Sequence, residues 1–197
     1  MFDKLKEDLR ETVTGSNPEN DLRARLHADH VEVDRLIGEL QDSEDHELAM
    51  RADLRDELVQ ALIVHSRAEE DVVYTRLRSE PSLRADVTHS DREHQDILTA
   101  LARLEALDPA DPAFLDALNQ LADTVKHHVH EEEGTVLPKA QERLGQDVLA
   151  RLIPPFNERK RELLQQHHSA LETAPTLAEP TPTPVMGRGL ADAPSQW

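Results

Sequence analysis

In two helical stretches a histidine on the apolar stripe is followed four residues later by a glutamate on the same stripe. The pairs are His65 with Glu69, in LIVHSRAEEDVVY, and His128 with Glu132, in TVKHHVHEEEGTVLP. Residues four apart on a helix point the same way, one turn from each other. Each pair therefore offers an imidazole nitrogen and a carboxylate oxygen to one point in space, which is the donor chemistry of a cation site. Turning each helix by about 100° per residue shows which polar residues share the apolar stripe. His65 and Glu69 fall close to the stripe centre, whereas Glu70 lies more than about 100° away. Glu132 lies near the centre of its own stripe and His128 at the edge, with His127 and His130 pointing away. In the third helical stretch His94 is central and His89 is about 120° off. In the first, His30 is inside the stripe, His27 is further out and Asp34 is marginal.

The elements that must position these residues are four amphipathic helices. The first is predicted from about residue 19 to 41, carrying Leu22, Leu26, Val33, Ile37 and Leu40. The second covers about 46 to 79 and stops at Pro81. The third takes about 83 to 107, and the turn DPADP follows it. The fourth runs from there to about 144, with Pro112 at its first helical position and a disturbance at Gly134 or Pro138. Short connections make such helices antiparallel neighbours. The expected fold is all-α: an up-down four-helix bundle over 19–144. An amphipathic N-terminal segment with Phe2, Leu5 and Leu9 occupies 1–18. A C-terminal helical segment over 145–172, interrupted by Pro154 and Pro155, is expected to cap the bundle or mediate a homodimer. A Pro-rich flexible tail takes 173–197.

Composition agrees with helices built on Leu and Ala, since only 3% of residues are aromatic and 31% are charged. A formal charge of −18 opposes binding to phosphate backbones and anionic membranes. Without cysteine there is no disulfide, thiolate nucleophile or iron–sulfur ligation. No apolar run reaches about 18 residues and MFDKLKEDLR has no secretory apolar stretch, so the expected location is cytoplasmic.

In an antiparallel bundle, mid-length residues of all four helices meet at one level. The set is His30, His65, Glu69, His94, His128 and Glu132. One buried histidine is ordinarily a hydrogen-bonded core residue, but four at one height with two seam-facing glutamates are costly without a cation. No Lys or Arg sits on the stripes there. Four nitrogens and two carboxylates exceed what one tetrahedral zinc uses and suit two metals bridged by carboxylates. The donors favour iron, with manganese and zinc as alternatives. The rival ferritin-like pattern needs Glu-x-x-His on two helices. Here the nearest spacings, Asp86–His89 and Asp91–His94, share one helix.

The chain resembles the hemerythrin-like HHE cation-binding domains. The matching stretches are ADHVEVD (28–34), HSRAEEDVVY (65–74), REHQDIL (92–98) and HHVHEEEGTVLP (127–138), within about residues 20 to 144. The resemblance implies a non-haem di-iron centre of two iron ions, with His30, His65, Glu69, His94, His128 and Glu132 as ligands. In the oxygen carriers the last carboxylate falls five residues after the helix-four histidine, which leaves Glu133 as an alternative to Glu132. The carriers also have a histidine one turn before the His94 position. Ser90 stands there, so reversible oxygen carriage is not implied, and His89 could serve only if the helix were distorted. The functional expectation is binding or sensing of oxygen, peroxide or nitric oxide. A ferroxidase or catalase-like enzyme is the alternative, with Tyr74 as its one redox tyrosine. Hemerythrin-like proteins include encapsulin cargos, and residues 185–197 loosely fit a shell-docking segment.

Overall fold

The computed structural model describes residues 17–43 and 47–173. The N-terminal amphipathic segment and the tail with its docking segment lie outside the described residues.

Helix α1 is Leu22–Asp42. The side chain of Asp21 caps it by accepting the N–H of Arg23 at 2.9 Å. Helix α2 starts as Leu48–Ala68, passes through a π-helical stretch, Glu69–Tyr74, and ends as Thr75–Arg78. A 3₁₀ turn, Pro81–Leu83, leads into α3, Arg84–Glu105. Helix α4 is Phe114–Glu131, then π-helical Glu132–Val136, then α-helical Leu137–Leu144. Pro112 sits in the turn before α4 and not at its first position. The carboxylates of Asp108 and Asp111 accept the N–H groups of Ala110 and Ala113 there, and these local bonds delay the helix.

The expected disturbance near Gly134 and Pro138 is the second π stretch. Its register change puts Pro138 in the first turn of a fresh α segment, where the missing N–H costs nothing. Gly145 at φ +83° then ends the helix. A short α5, Gln146–Ala150, precedes α6, Ile153–Thr173. Pro154 and Pro155 do not interrupt this last helix. They occupy its first turn, and the break lies at residues 151–152 instead.

Helices α1 to α4 form an antiparallel bundle, each packed against its two neighbours. Two apolar clusters fill it. One holds Val33, Leu40, Leu58, Leu62, Ile97 and Leu121; the other holds Leu26, Val73, Leu77, Val87, Val136 and Leu137. Along every helix the histidine of interest falls between the clusters, as His30 does between Leu26 and Val33. Each fully buried leucine contributes about 1.5–3 kcal/mol, so two such clusters can support a costly polar layer between them. Helix α6 packs along α2 and its π stretch rather than across the bundle end. Phe156 and Ile153 are buried within the chain, and Arg25 on α1 reaches Asn157 at 2.8 Å. Among the described residues no helix is long and apolar enough to cross a membrane.

Candidate metal centre

The structure brings His30, His65, Glu69, His94, His128 and Glu132 together in the polar layer, all of them buried. One atom from each of His30, His65, Glu69 and Glu132 lies within 4.8 Å of the others, and the same holds for Glu69, His94 and His128. The Nε2 atoms face inward: those of His30 and His65 are 3.0 Å apart, those of His94 and His128 3.2 Å. Glu69 links the pairs, with Oε2 3.3 Å from His65 Nε2 and 3.4 Å from His94 Nε2. Oε2 of Glu132 is 3.5 Å from His30 Nε2, and its Oε1 accepts a hydrogen bond from the Tyr74 hydroxyl at 2.9 Å.

The π stretches explain how Tyr74 gets there. Five residues along an α-helix swing a side chain by roughly 140°, whereas a turn closed five residues on returns it near the same face. Glu69 and Tyr74 are five apart and both buried. The Thr75 hydroxyl donates to the Glu70 carbonyl, five residues back, in the same register. Tyr74, which the sequence offered only as a redox tyrosine for an enzyme, therefore touches Glu132 and His94 directly.

Sequence reasoning missed an outer ring. Every Nδ1 faces a carboxylate: His30 to Glu133 at 2.6 Å, His65 to Asp29, His94 to Glu70 and His128 to Glu93, the last three at 3.2 Å. An ionised carboxylate can only accept, so each Nδ1 carries a hydrogen, and a ring that gives up its other proton turns the Nε2 lone pair inward. Glu133, the alternative to Glu132, contacts His30 and His27 from outside, the latter at 3.0 Å, and joins neither inner group of donors. His89 does not fill the Ser90 position either, being 56% exposed on the outer face. Asp34 joins neither inner group of donors. A sequence signal for the ring existed. An acidic residue immediately precedes the seam histidine at Asp29–His30 and Glu93–His94, and immediately follows the seam glutamate at Glu69–Glu70 and Glu132–Glu133.

Electrostatics follows from this nesting. Burial would lower His30, but the Glu133 hydrogen bond and the charges of Glu132, Glu133 and Glu69 lift it to about 9. Burial likewise opposes His94, and Glu69 and Glu70 raise it to about 10. For His65 burial prevails and the shift is downward despite Glu69 and Asp29. The inner carboxylates split: burial and then the charge of Glu69 push Glu132 up, while His65 and His94 overcome burial to hold Glu69 down. The carboxylates that raise His30 and His94 would equally favour a metal cation at their Nε2 atoms.

The residues also fit a cation by what they lack. Both oxygens of Glu69 and Oε2 of Glu132 are fully buried without a hydrogen-bond partner. Such atoms need positive charge facing them, which the protons on His30 and His94 supply in part and a metal cation would supply in their place. Imidazole and carboxylate donors suit iron, zinc or manganese.

The comparisons agree. The model of the hemerythrin HHE cation binding domain matches residues 21–140. A DNA nickase of Nostoc sp. (strain PCC 7120) is 28% identical over 156 residues, 78% of this chain and 44% of that protein. An uncharacterised hemerythrin-like protein of Schizosaccharomyces pombe is 23% identical over 152 residues, 76% of this chain and 74% of that protein. The chain thus spans less than half the length of the first relative. No solved structure matches it with significance. With a family model covering most of a four-helix bundle whose core gathers buried histidines and glutamates, the chain belongs to the hemerythrin HHE cation-binding domain family.

Proposed function

We propose that the polar layer holds two iron ions and that the protein binds or senses a small oxidant or diatomic molecule there: oxygen, peroxide or nitric oxide. His30 and His65 would hold one ion, His94 and His128 the other, with Glu69 between them and Glu132 beside the first. The observation that carries this is the set of buried, unpartnered carboxylate oxygens of Glu69 and Glu132 among four inward Nε2 atoms. Bound iron would supply Lewis acidity and one-electron redox chemistry toward such molecules.

The rest is the work of the chain itself. Asp29, Glu70, Glu93 and Glu133 fix the ring orientations and tautomers. The leucine clusters above and below wall the layer with apolar side chains that keep bulk water out. The Tyr74 hydroxyl holds its proton firmly, because burial and then the charges of Glu132 and Glu69 push its pKa well up. It can orient Glu132 and offer a hydrogen bond at the site. Tyr74 Oη also lies 3.4 Å from His94 Nε2. That contact favours a second reading, turnover of peroxide or ferrous iron.

The test is exposure of the Fe²⁺-loaded protein to oxygen, hydrogen peroxide and nitric oxide in turn, with optical spectra. Binding or sensing predicts a saturable change with at least one of them. Continuous peroxide consumption that Tyr74→Phe slows supports the enzymatic reading. No response to any of the three contradicts both. The nicking named for the Nostoc relative is not carried over, because a charge of −18 repels a phosphate backbone. Supercoiled plasmid incubated with the iron-loaded chain is expected to stay intact.

A further inference from the structure

We infer that the outer face between α3 and α4 carries a separate, solvent-open site for a divalent transition-metal ion, formed by His89, His127 and Glu93. Their donor atoms lie within 4.8 Å of one another. Glu93 Oε1 is 3.5 Å from His89 Nε2 and 3.4 Å from His127 Nε2. The two imidazoles are 56% and 64% exposed, and Glu93 is only 6% exposed. Oε1 of Glu93 is buried without a hydrogen-bond partner, and it is the oxygen that approaches both imidazoles. Its sister oxygen already accepts from His128 Nδ1 at 3.2 Å.

This placement is hard to explain as surface chance. A carboxylate oxygen that is removed from water and unpaired is costly. The two imidazole nitrogens at 3.4 and 3.5 Å make no hydrogen bond to it, whereas a cation seated among the three atoms would face it directly. His89 and Glu93 are four apart on α3 and so share a face, and His127 reaches across from α4. Two imidazoles and one carboxylate with a position open to solvent form a three-ligand set typical of zinc, and cobalt binds similar donors. Exposure of both histidines lets the ion enter and leave without unfolding anything.

Glu93 belongs to both places. An ion held here would be one carboxylate and one imidazole ring from the buried layer, well placed to capture metal for it or to tune His128. That link rests on the di-iron reading; the outer site does not.

The test counts Co²⁺ and Zn²⁺ bound at equilibrium by the full chain, by the double variant His89→Ala/His127→Ala and by the core variant His65→Ala/Glu69→Ala. Thermal unfolding checks that each is folded. The outer-face variant should bind one ion fewer per chain than native, and the core variant should keep that ion. Visible Co²⁺ absorption assigned to nitrogen ligation should fall in the outer-face variant by one site's worth. Equal stoichiometry and affinity in native chain and outer-face variant would overturn the proposal, whatever the core variant does. So would loss of the extra ion from the core variant. If native chain binds one ion only and the outer-face variant none, the outer site stands and the di-iron reading fails.

Discussion

The two halves of the bundle present the same device in different settings. In α1 and α2, Asp29 backs His65; in α3 and α4, Glu93 backs His128. Helix α6 covers the first: Lys160 Nζ sits 2.6 Å from Asp29 Oδ2, and Phe156 meets the His65 ring edge-on at 6.3 Å. Among the described residues nothing equivalent covers the second, where Glu93 faces two exposed histidines. A fixed ammonium neutralises one outer carboxylate, and exchangeable partners surround the other. What stands behind the outer carboxylate thus decides whether a half is closed or open, although the inward chemistry is shared.

The strongest way to break this contrast is to strip the cover from the closed half. Phe156→Ala removes a fully buried ring and should cost about 3–5 kcal/mol in denaturant unfolding. If the cost is below about 1 kcal/mol, α6 is not the cover described. Next come the outer carboxylates themselves. Asp29→Asn and Glu93→Gln should each weaken metal affinity by about 10–100-fold, measured by chelator competition. Asp29→Asn should also lower stability, because it leaves Lys160 facing a neutral amide. Equal stability losses in the two variants would erase the distinction between the halves.

A smaller effect is expected at Tyr74. Tyr74→Phe deprives the buried Glu132 Oε1 of its donor and should cost about 1–3 kcal/mol while changing the optical spectrum of the loaded protein. An unchanged spectrum would detach Tyr74 from the centre. The smallest effect compares the two covers directly. Lys160→Met should destabilise by about 1 kcal/mol, since its partner is partly buried, whereas His127→Ala should stay within about 0.5 kcal/mol.

The sequence showed what repeats at helical period. Leucine stripes placed all four helices within a few residues, and the angular test selected the six residues that the fold gathers in one layer. It could not show register. A π turn changes which residues share a face without changing composition, so Tyr74 looked like ordinary core. The same angular test discarded Glu70, which lies off its own stripe yet meets His94 on the neighbouring helix. The prolines misled in another way. Pro154 and Pro155 disfavour helix before them and are tolerated in a first turn, so the break lies ahead of them, at residues 151–152.

The central claim concerns Glu69, the carboxylate that both histidine pairs share, and iron content tests it most directly. Native chain and Glu69→Ala, loaded anaerobically with Fe²⁺, desalted and assayed for iron per folded chain, should give two and less than one. Two irons retained in Glu69→Ala, or none in the folded native chain, would contradict the account.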